Sequence, residues 1–149
     1  MIDKLIGDEG NVPYCEICKR PFFDVFSTCV IVLLLNEYGE AALLRQNYIS
    51  SHYHNLISGY MKPGECAEET ARREVKEEIG IDLATLQIAG TYWFAKKELL
   101  MIGFFAFAPK KDFLLSSEVD HACWIPVRDA LHMVHPKGTR CATCIIQIA

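Results

Sequence analysis

Three acidic residues at helical spacing are the most chemically informative feature of this 149-residue chain. Glu74, Glu77 and Glu78 lie within residues 73–78, where five of the six residues are charged. Positions three and four apart share one face of an α-helix, so these carboxylates can converge on a common ion. A hard divalent cation such as Mg²⁺ or Mn²⁺ would supply the counter-charge that they need. The pattern predicts a metal site, although Glu-rich helices with interleaved basic residues are usually just solvated faces.

The residues around the three acids fit the same chemistry. Arg73 precedes Glu77 by four positions, which predicts an ion pair along the helix. Gly59 and Gly64 lie in the loop before the helix, where glycine lets the backbone turn tightly and approach an ion or a phosphate closely. The sequence therefore predicts a loop that leads into a helix carrying the metal site.

Apolar periodicity predicts the elements that position this helix. Ala67, Ala71, Val75 and Ile79 recur every four residues, and Gly80 ends the pattern as a C-terminal glycine does. Continuous or alternating apolar runs predict six strands. The first and second strands are predicted to form one hairpin, and the fourth and fifth strands another. The predicted strands are Thr28–Leu35, Ala41–Gln46, Asn55–Ser58, Leu86–Phe94, Leu99–Phe107 and Ala122–Ile125, and two further helices are predicted at Val127–Met133 and Thr139–Ile148.

The composition and net charge of the chain argue against some classes of protein. About half of the residues are apolar, which suits one globular domain. No basic N-terminal region with a cleavage site predicts secretion, and no apolar run is long enough to predict a membrane span. The net charge of -4 argues against a general electrostatic grip on nucleic acid. Seven cysteines without a secretory signal indicate reduced thiols. We therefore expect a cytoplasmic protein.

Two Cys-x-x-Cys pairs suggest a second metal. Four thiolates could make a closed structural zinc site if the pairs met; the alternative is an unpartnered knuckle and cysteines in an apolar core. We interpret the remaining cysteines as buried thiols. His52 and His54 belong to a polar loop, either exposed or near a substrate, and the other histidines show no convincing ligand spacing. The candidate zinc ligands are Cys15, Cys18, Cys141 and Cys144, and the cysteines interpreted as buried are Cys29, Cys66 and Cys123.

The whole segment 59–81 resembles the Nudix box. The family pattern is Gly, five residues, Glu, seven residues, Arg-Glu, an aliphatic, any residue, Glu-Glu, any residue, Gly and an aliphatic. This chain meets it at Gly59, Glu65, Arg73, Glu74, Val75, Glu77, Glu78, Gly80 and Ile81. The order of predicted elements from residue 28 onward also resembles the family, which implies an α/β fold, an α/β/α sandwich with a mixed β-sheet between helices.

The resemblance implies hydrolysis of a nucleoside diphosphate linked to another group, with water and Mg²⁺ or Mn²⁺. By this analogy Glu74, Glu77, Glu78 and the Gly59 carbonyl are metal ligands, and no covalent nucleophile is needed. Similar enzymes take the general base either from the box or from a later loop. Glu118 is the candidate outside the box, and a solvated loop acid is the alternative.

By the same analogy, Arg73 would orient Glu77, and Glu65 would support the loop. The catalytic candidates are Arg73, Glu77, Glu78 and Glu118.

The N-terminal part of the sequence resembles one subgroup of the Nudix family. Residues 1–22 form a leader with a candidate zinc knuckle before a Nudix domain at 23–149, similar to the junction in NADH pyrophosphatases. The Ser-Gln-Pro-Trp-Pro-Phe-Pro segment of that subgroup is only partly matched at residues 91–97, where Trp93 and Phe94 are either core or base-stacking residues. A dinucleotide or a nucleotide sugar is the expected small-molecule substrate.

Three alternatives stay open: a housecleaning nucleoside triphosphate pyrophosphatase, an idle nucleotide-sensing module, and a zinc-stapled interaction domain. A homodimer is common among similar proteins.

Overall fold

A six-stranded mixed sheet occupies the centre of the computed structural model, which describes residues 1–134 and 140–149, without the side chains of 140, 141 and 148. The strands are β1 (Ile2–Leu5), β2 (Asn11–Cys15), β3 (Arg20–Pro21), β4 (Ser27–Leu35), β5 (Glu40–Arg45), β6 (Ile57–Tyr60), β7 (Thr85–Phe94), β8 (Leu99–Phe107) and β9 (His121–Pro126). The helices are α1 (Ala67–Ile79), α2 (Val127–Met133) and α3 (Arg140–Ile148).

The central sheet is built around β4. Its strands follow the order β7-β8-β4-β5-β9, and β6 pairs with the first half of β4. The β4 and β8 strands are parallel, whereas β4–β5, β7–β8 and β5–β9 are antiparallel. Both predicted hairpins are confirmed.

Alternate side chains of β4 pack on opposite faces of the sheet. Ile31 and Leu33 belong to a core that includes residues of α2 and α3, whereas Val30, Val32 and Leu34 belong to a core that includes one side of α1. A strand buried on both faces is continuously apolar, as residues 28–35 are. The fold is the predicted α/β class, with helices on both faces of a mixed sheet.

The predicted elements agree closely with the structure. α1, α2 and β8 have the predicted bounds, and the other predicted strands differ by one or two residues at an end. The last predicted helix is confirmed from Arg140 onward, while Thr139 lies outside the described residues. Residues 1–22 contain a separate three-stranded sheet, β1-β2-β3, that hydrophobic periodicity did not predict. The boundary at residue 22 stays a prediction.

Within the described ranges, no helix combines the length and apolar character that crossing a bilayer requires.

Candidate active site

The loop after β6 and the helix α1 form the candidate site. The α1 helix begins after Cys66, whose backbone N–H donates to the Glu69 carboxylate at 2.9 Å. It ends at Gly80, whose φ of 74° is the left-handed conformation that glycine adopts without strain. A Cβ at that position would lie 2.6 Å from the Leu114 side chain, so glycine also makes room there.

Arg73 joins three carboxylates and the loop. Its Nε and Nη2 donate to the two oxygens of Glu65 at 2.6 and 2.8 Å, and its Nη1 donates to Glu74 and, at 3.1 Å, to Glu77. Nη2 also donates to the Tyr60 carbonyl at 3.1 Å. The predicted ion pair with Glu77 is therefore present. The guanidinium also holds the pKa of Glu65 at about 2, which burial opposes only in part.

Gly59 leaves room for the Glu74 carboxylate. A Cβ on Gly59 would lie 2.0 Å from Cδ of Glu74 and 2.1 Å from its Oε1, so any other residue would displace that carboxylate. Burial raises the pKa of Glu74, and the Arg73 guanidinium opposes the rise. The glycine at the start of the Nudix pattern thus lets an acidic group approach the β6 backbone.

Glu78 is buried, with only 7% of its surface exposed. Burial, followed by the charge of Glu74, raises its pKa to about 8, although a hydrogen bond from Gln46 opposes the rise. The Gln46 amide donates to Oε1 at 3.1 Å, whereas Oε2 is buried and has no hydrogen-bond partner among the described residues. An unpartnered buried carboxylate oxygen is costly unless a cation or donor binds there.

The other predicted catalytic acids are more exposed. The Glu77 side chain is 53% exposed and pairs with Arg73. Glu118 is exposed in the segment before β9, yet its charge contributes to the raised pKa of Glu78, so the two carboxylates lie within electrostatic range. These residues therefore surround one end of α1.

The donor set at α1 fits a hard divalent cation. Glu74 and Glu78 offer carboxylate oxygens, one of which is buried without a partner, and the Gly59 backbone lies beside Glu74. The three carboxylates lie farther apart than their helical spacing predicted. In the described ranges, Glu74, Glu77 and Glu78 do not form a group with oxygens all within 4.8 Å of one another. Their roles as ligands stay a prediction.

Gln46 is a site residue that the sequence did not identify. It follows β5 and lies 32 positions before the carboxylate that it contacts, so no local spacing links the two. A polar residue at the end of an apolar strand was the available signal. Glu65, predicted to support the loop, does so: its carboxylate accepts from Arg73, from the Lys62 backbone N–H at 3.1 Å and from the Thr70 hydroxyl at 2.8 Å.

The interpretation of the cysteines is corrected in part. Cys29 is buried as predicted, but Cys66 is exposed because it lies in the loop immediately before α1. Cys123 is partly exposed because it lies on β9, an edge strand of the sheet. Cys18 donates its backbone N–H to the Cys15 sulfur at 3.5 Å, as in a knuckle turn.

The zinc site predicted from the two Cys-x-x-Cys pairs is not seen in the described part of the chain. There, Cys15, Cys18 and Cys144 do not form a three-ligand group, and the Cys141 side chain lies outside the described residues. The structure instead brings together His54, His121 and Cys123, whose ligand atoms all lie within 4.8 Å of one another. His54 is buried, so the expectation of a surface loop is wrong for it.

Comparison with known proteins agrees with the fold and the box. The NUDIX domain family matches residues 26–143. The chain is 29% identical over 136 residues to the NAD-capped RNA hydrolase NudC of Pseudomonas entomophila, covering 91% of this chain and 48% of that protein. The chain thus spans about half the length of the curated relatives that it matches first.

Solved structures share the architecture. The E. coli dihydroneopterin triphosphate pyrophosphohydrolase superposes with a TM-score of 0.69 at 18% identity, covering 84% of this chain and 97% of that one. The NUDIX domain of Shewanella oneidensis NrtR, in complex with ADP ribose, superposes with a TM-score of 0.68 at 15% identity, covering 91% and 93%. The fold and the site define a mixed-sheet α/β domain with an acidic helix. The chain belongs to the Nudix domain family.

Proposed function

We propose that this protein is a metal-dependent pyrophosphohydrolase that cleaves the diphosphate linkage of a nucleoside diphosphate derivative, a dinucleotide or a nucleotide sugar. Family membership and the names of the relatives indicate a pyrophosphohydrolase. The observation that carries the proposal is the buried, unpartnered oxygen of Glu78 beside Glu74. A protein that only needed a solvated helix face would have no reason to bury this carboxylate.

Glu74, Glu77, Glu78 and the Gly59 carbonyl would hold Mg²⁺ or Mn²⁺. When bound, the ion would neutralise the diphosphate and lower the pKa of the attacking water. The protein's own contribution is to orient these acids. Arg73 does this for Glu74 and Glu77, because one guanidinium nitrogen contacts both carboxylates.

The general base is proposed as Glu118, with Glu77 or Glu78 as the candidates within the box. Glu118 is exposed, and its charge acts on Glu78, so it lies near the acidic end of the site. A base that is not itself a metal ligand stays free to accept a proton from water near neutral pH.

Trp93 is proposed to contact the nucleobase. It pairs with Leu100, which pairs with Thr28, and paired residues share a face of the sheet. Thr28 is two residues from Val30, which packs on the α1 side, so Trp93 lies on the same face as α1. It is 53% exposed and makes an edge-to-face contact of 5.4 Å with Phe26.

The distance between Trp93 and β6 suits an extended ligand. Trp93 on β7 lies three strand spacings from β6, a distance of roughly 14 Å. The aromatic pair and the acidic site therefore stand apart on one face, as a nucleobase and a diphosphate do within one nucleotide derivative. Phe94, by contrast, packs against the opposite core and is not a candidate for stacking.

The test is hydrolysis of a panel of NADH, ADP-ribose, nucleotide sugars and nucleoside triphosphates with Mg²⁺ or Mn²⁺. Glu78→Gln keeps the shape of the buried group and removes its charge, and Glu68→Gln is the matched control on the exposed side of the same helix. We expect metal-dependent turnover of a dinucleotide or a nucleotide sugar that is lost in Glu78→Gln alone.

Two other outcomes would contradict the proposal, and each would favour a different function. Turnover of nucleoside triphosphates alone would indicate a housecleaning pyrophosphatase. Nucleotide binding without turnover of any compound would indicate a sensing module.

We propose a cytoplasmic protein with a leader at 1–22 and a Nudix domain at 23–149, and a homodimer is the oligomeric state that is common among similar proteins.

A further inference from the structure

Three side chains that can ligate a metal converge on the sheet face opposite α1. His121 and Cys123 are two residues apart on β9, so both side chains point to the same face. Cys123 pairs with Leu43, which belongs to the core on the α2 and α3 side. This face is not the one that carries the acidic residues of α1.

His54 reaches the same place from the segment before β6. Its backbone N–H donates to the Met133 carbonyl at 2.9 Å, and it forms a parallel bridge with Val134, next to the end of α2. Its ring lies 5.7 Å from the ring of His121, centroid to centroid. The ligand atoms of His54, His121 and Cys123 all lie within 4.8 Å of one another.

One ring nitrogen of His54 is buried in this cluster and makes no hydrogen bond in the described part of the chain. Only 9% of the residue is exposed, and Nε2 is buried with no hydrogen-bond partner among the described residues. Buried imidazole nitrogens normally have a partner, so an unpartnered one indicates a missing ligand. His121 is exposed and Cys123 partly exposed, so an ion has a route from solvent.

Arg45 is the charged residue opposite His121 on β5. A guanidinium disfavours a bare cation nearby, but its Nε is buried and has no acceptor in the described part of the chain. An anionic thiolate on Cys123 would compensate the positive charge that the metal adds next to Arg45. The cluster therefore favours a metal that binds as a thiolate complex over a hard cation with oxygen ligands.

We propose that His54, His121 and Cys123 form a binding site for a borderline-soft divalent metal ion, zinc above all, with a fourth position open to solvent. Two imidazoles and one thiolate are a ligand set that zinc accepts. The site is separate from the Mg²⁺ or Mn²⁺ site of the proposed hydrolase. Among the described side chains, Cys15, Cys18 and Cys144 do not belong to this group.

Cobalt binding tests the proposal, because Co²⁺ substitutes for zinc and gives a thiolate charge-transfer band. The full chain, cleared of metal and kept in excess Mg²⁺, is titrated with Co²⁺ as wild type and as Cys123→Ser, His121→Ala and the Cys15→Ser/Cys18→Ser double variant. We expect one equivalent with the band in the wild type and in the double variant. Cys123→Ser should lose the band.

His121→Ala should weaken Co²⁺ binding by more than the roughly 100-fold that loss of a supporting residue costs. His121 is exposed, so this variant is expected to fold even if Cys123→Ser does not, and circular dichroism checks both. The proposal is wrong if Cys123→Ser keeps the band, if the double variant alone loses it, if the wild type shows none, or if His121→Ala binds as tightly as the wild type. Nucleotide turnover is measured on the same variants. We expect it to persist, so a failure here is distinguishable from failure of the hydrolase proposal.

Discussion

Gln46 and Glu78 are joined by a hydrogen bond of 3.1 Å between the amide Nε2 and the carboxylate Oε1. The contact connects the end of β5 to the last turn of α1. It fixes one oxygen of a buried carboxylate and leaves the other without a partner. The orientation of Glu78 toward a ligand therefore depends on a residue outside the Nudix box.

Replacing Gln46 should weaken metal binding without removing a ligand. Gln46→Leu fills the buried position with an apolar side chain of similar size, and it leaves Oε1 of Glu78 without its amide donor. Loss of such a supporting hydrogen bond typically costs about 10- to 100-fold in metal affinity. Titration with Mn²⁺ followed by electron paramagnetic resonance of the free ion measures the change. Asn47→Ala is the neighbouring control, and equal affinities in Gln46→Leu and the wild type would contradict the role.

Gly59→Ala should damage the site while the fold persists. The added Cβ would overlap the Glu74 carboxylate, which is the far end of a flexible side chain and can move away. Overpacking of this kind costs about 1–3 kcal/mol, and the displaced carboxylate should lower metal affinity and turnover. Urea unfolding and Mn²⁺ titration measure the two effects separately.

A double variant identifies the cause of that damage. In Gly59→Ala/Glu74→Ala the overlap is gone, so the stability should recover relative to Gly59→Ala and the two changes should be non-additive. Metal binding should stay weak, because the carboxylate is missing. Additive stability changes would show that the alanine acts through something other than Glu74.

Glu65 should make the protein sensitive to acid. The Arg73 guanidinium lowers its pKa from 4.5 to about 2, so the folded state binds fewer protons than the unfolded chain between these values. The stabilisation is complete above pH 4.5 and is lost as the pH falls toward 2. Glu65→Gln should therefore unfold at lower urea than the wild type at pH 6, and the difference should shrink by pH 2.5. A constant difference across this range, or the same trend in Glu68→Gln, would refute the assignment.

The box and the helix could be predicted from sequence because their information is local. Residues 67–79 repeat every four positions, Gly80 ends the helix, and the ion pair of Arg73 with Glu77 follows from one helical turn. The continuous apolar run of β4 likewise predicts a strand buried on both faces. Each of these inferences needs only residues that are neighbours along the chain.

The contacts that complete the site could not be predicted in this way. Gln46 reaches Glu78 across 32 positions, and His54 reaches His121 across the end of α2. Such pairs depend on strand order and register, which a single sequence does not specify when several strands have similar apolar patterns. The sheet of residues 1–22 was missed because its short strands are mostly exposed and have no apolar alternation.

Cys29 should be less reactive than the exposed thiol of Cys66. It is 5% exposed, and burial raises its pKa to about 11, so only about 0.1% of it is thiolate at pH 8. Cys66 is exposed in the loop before α1. Iodoacetamide labelling at pH 8, followed by peptide mass spectrometry, should modify Cys66 in the native protein and Cys29 only after denaturation. Comparable labelling rates for the two residues in the native protein would show that Cys29 is not buried in solution.

Trp93 should matter for substrate binding more than for the chemical step. If its ring stacks on a nucleobase, Trp93→Ala removes about 1–3 kcal/mol of binding, which is about a 5- to 150-fold loss in kcat/KM. Since the residue lies roughly 14 Å from β6, the loss should fall mainly on KM and leave kcat nearly unchanged. Ile88→Ala is the matched control, because Ile88 is also exposed on β7, at 58%. Steady-state kinetics of the three proteins on the preferred substrate give the comparison. An unchanged KM in Trp93→Ala, or an equal rise in Ile88→Ala, would remove Trp93 from the binding site and leave the acidic residues of α1 as the sole basis for the proposed activity.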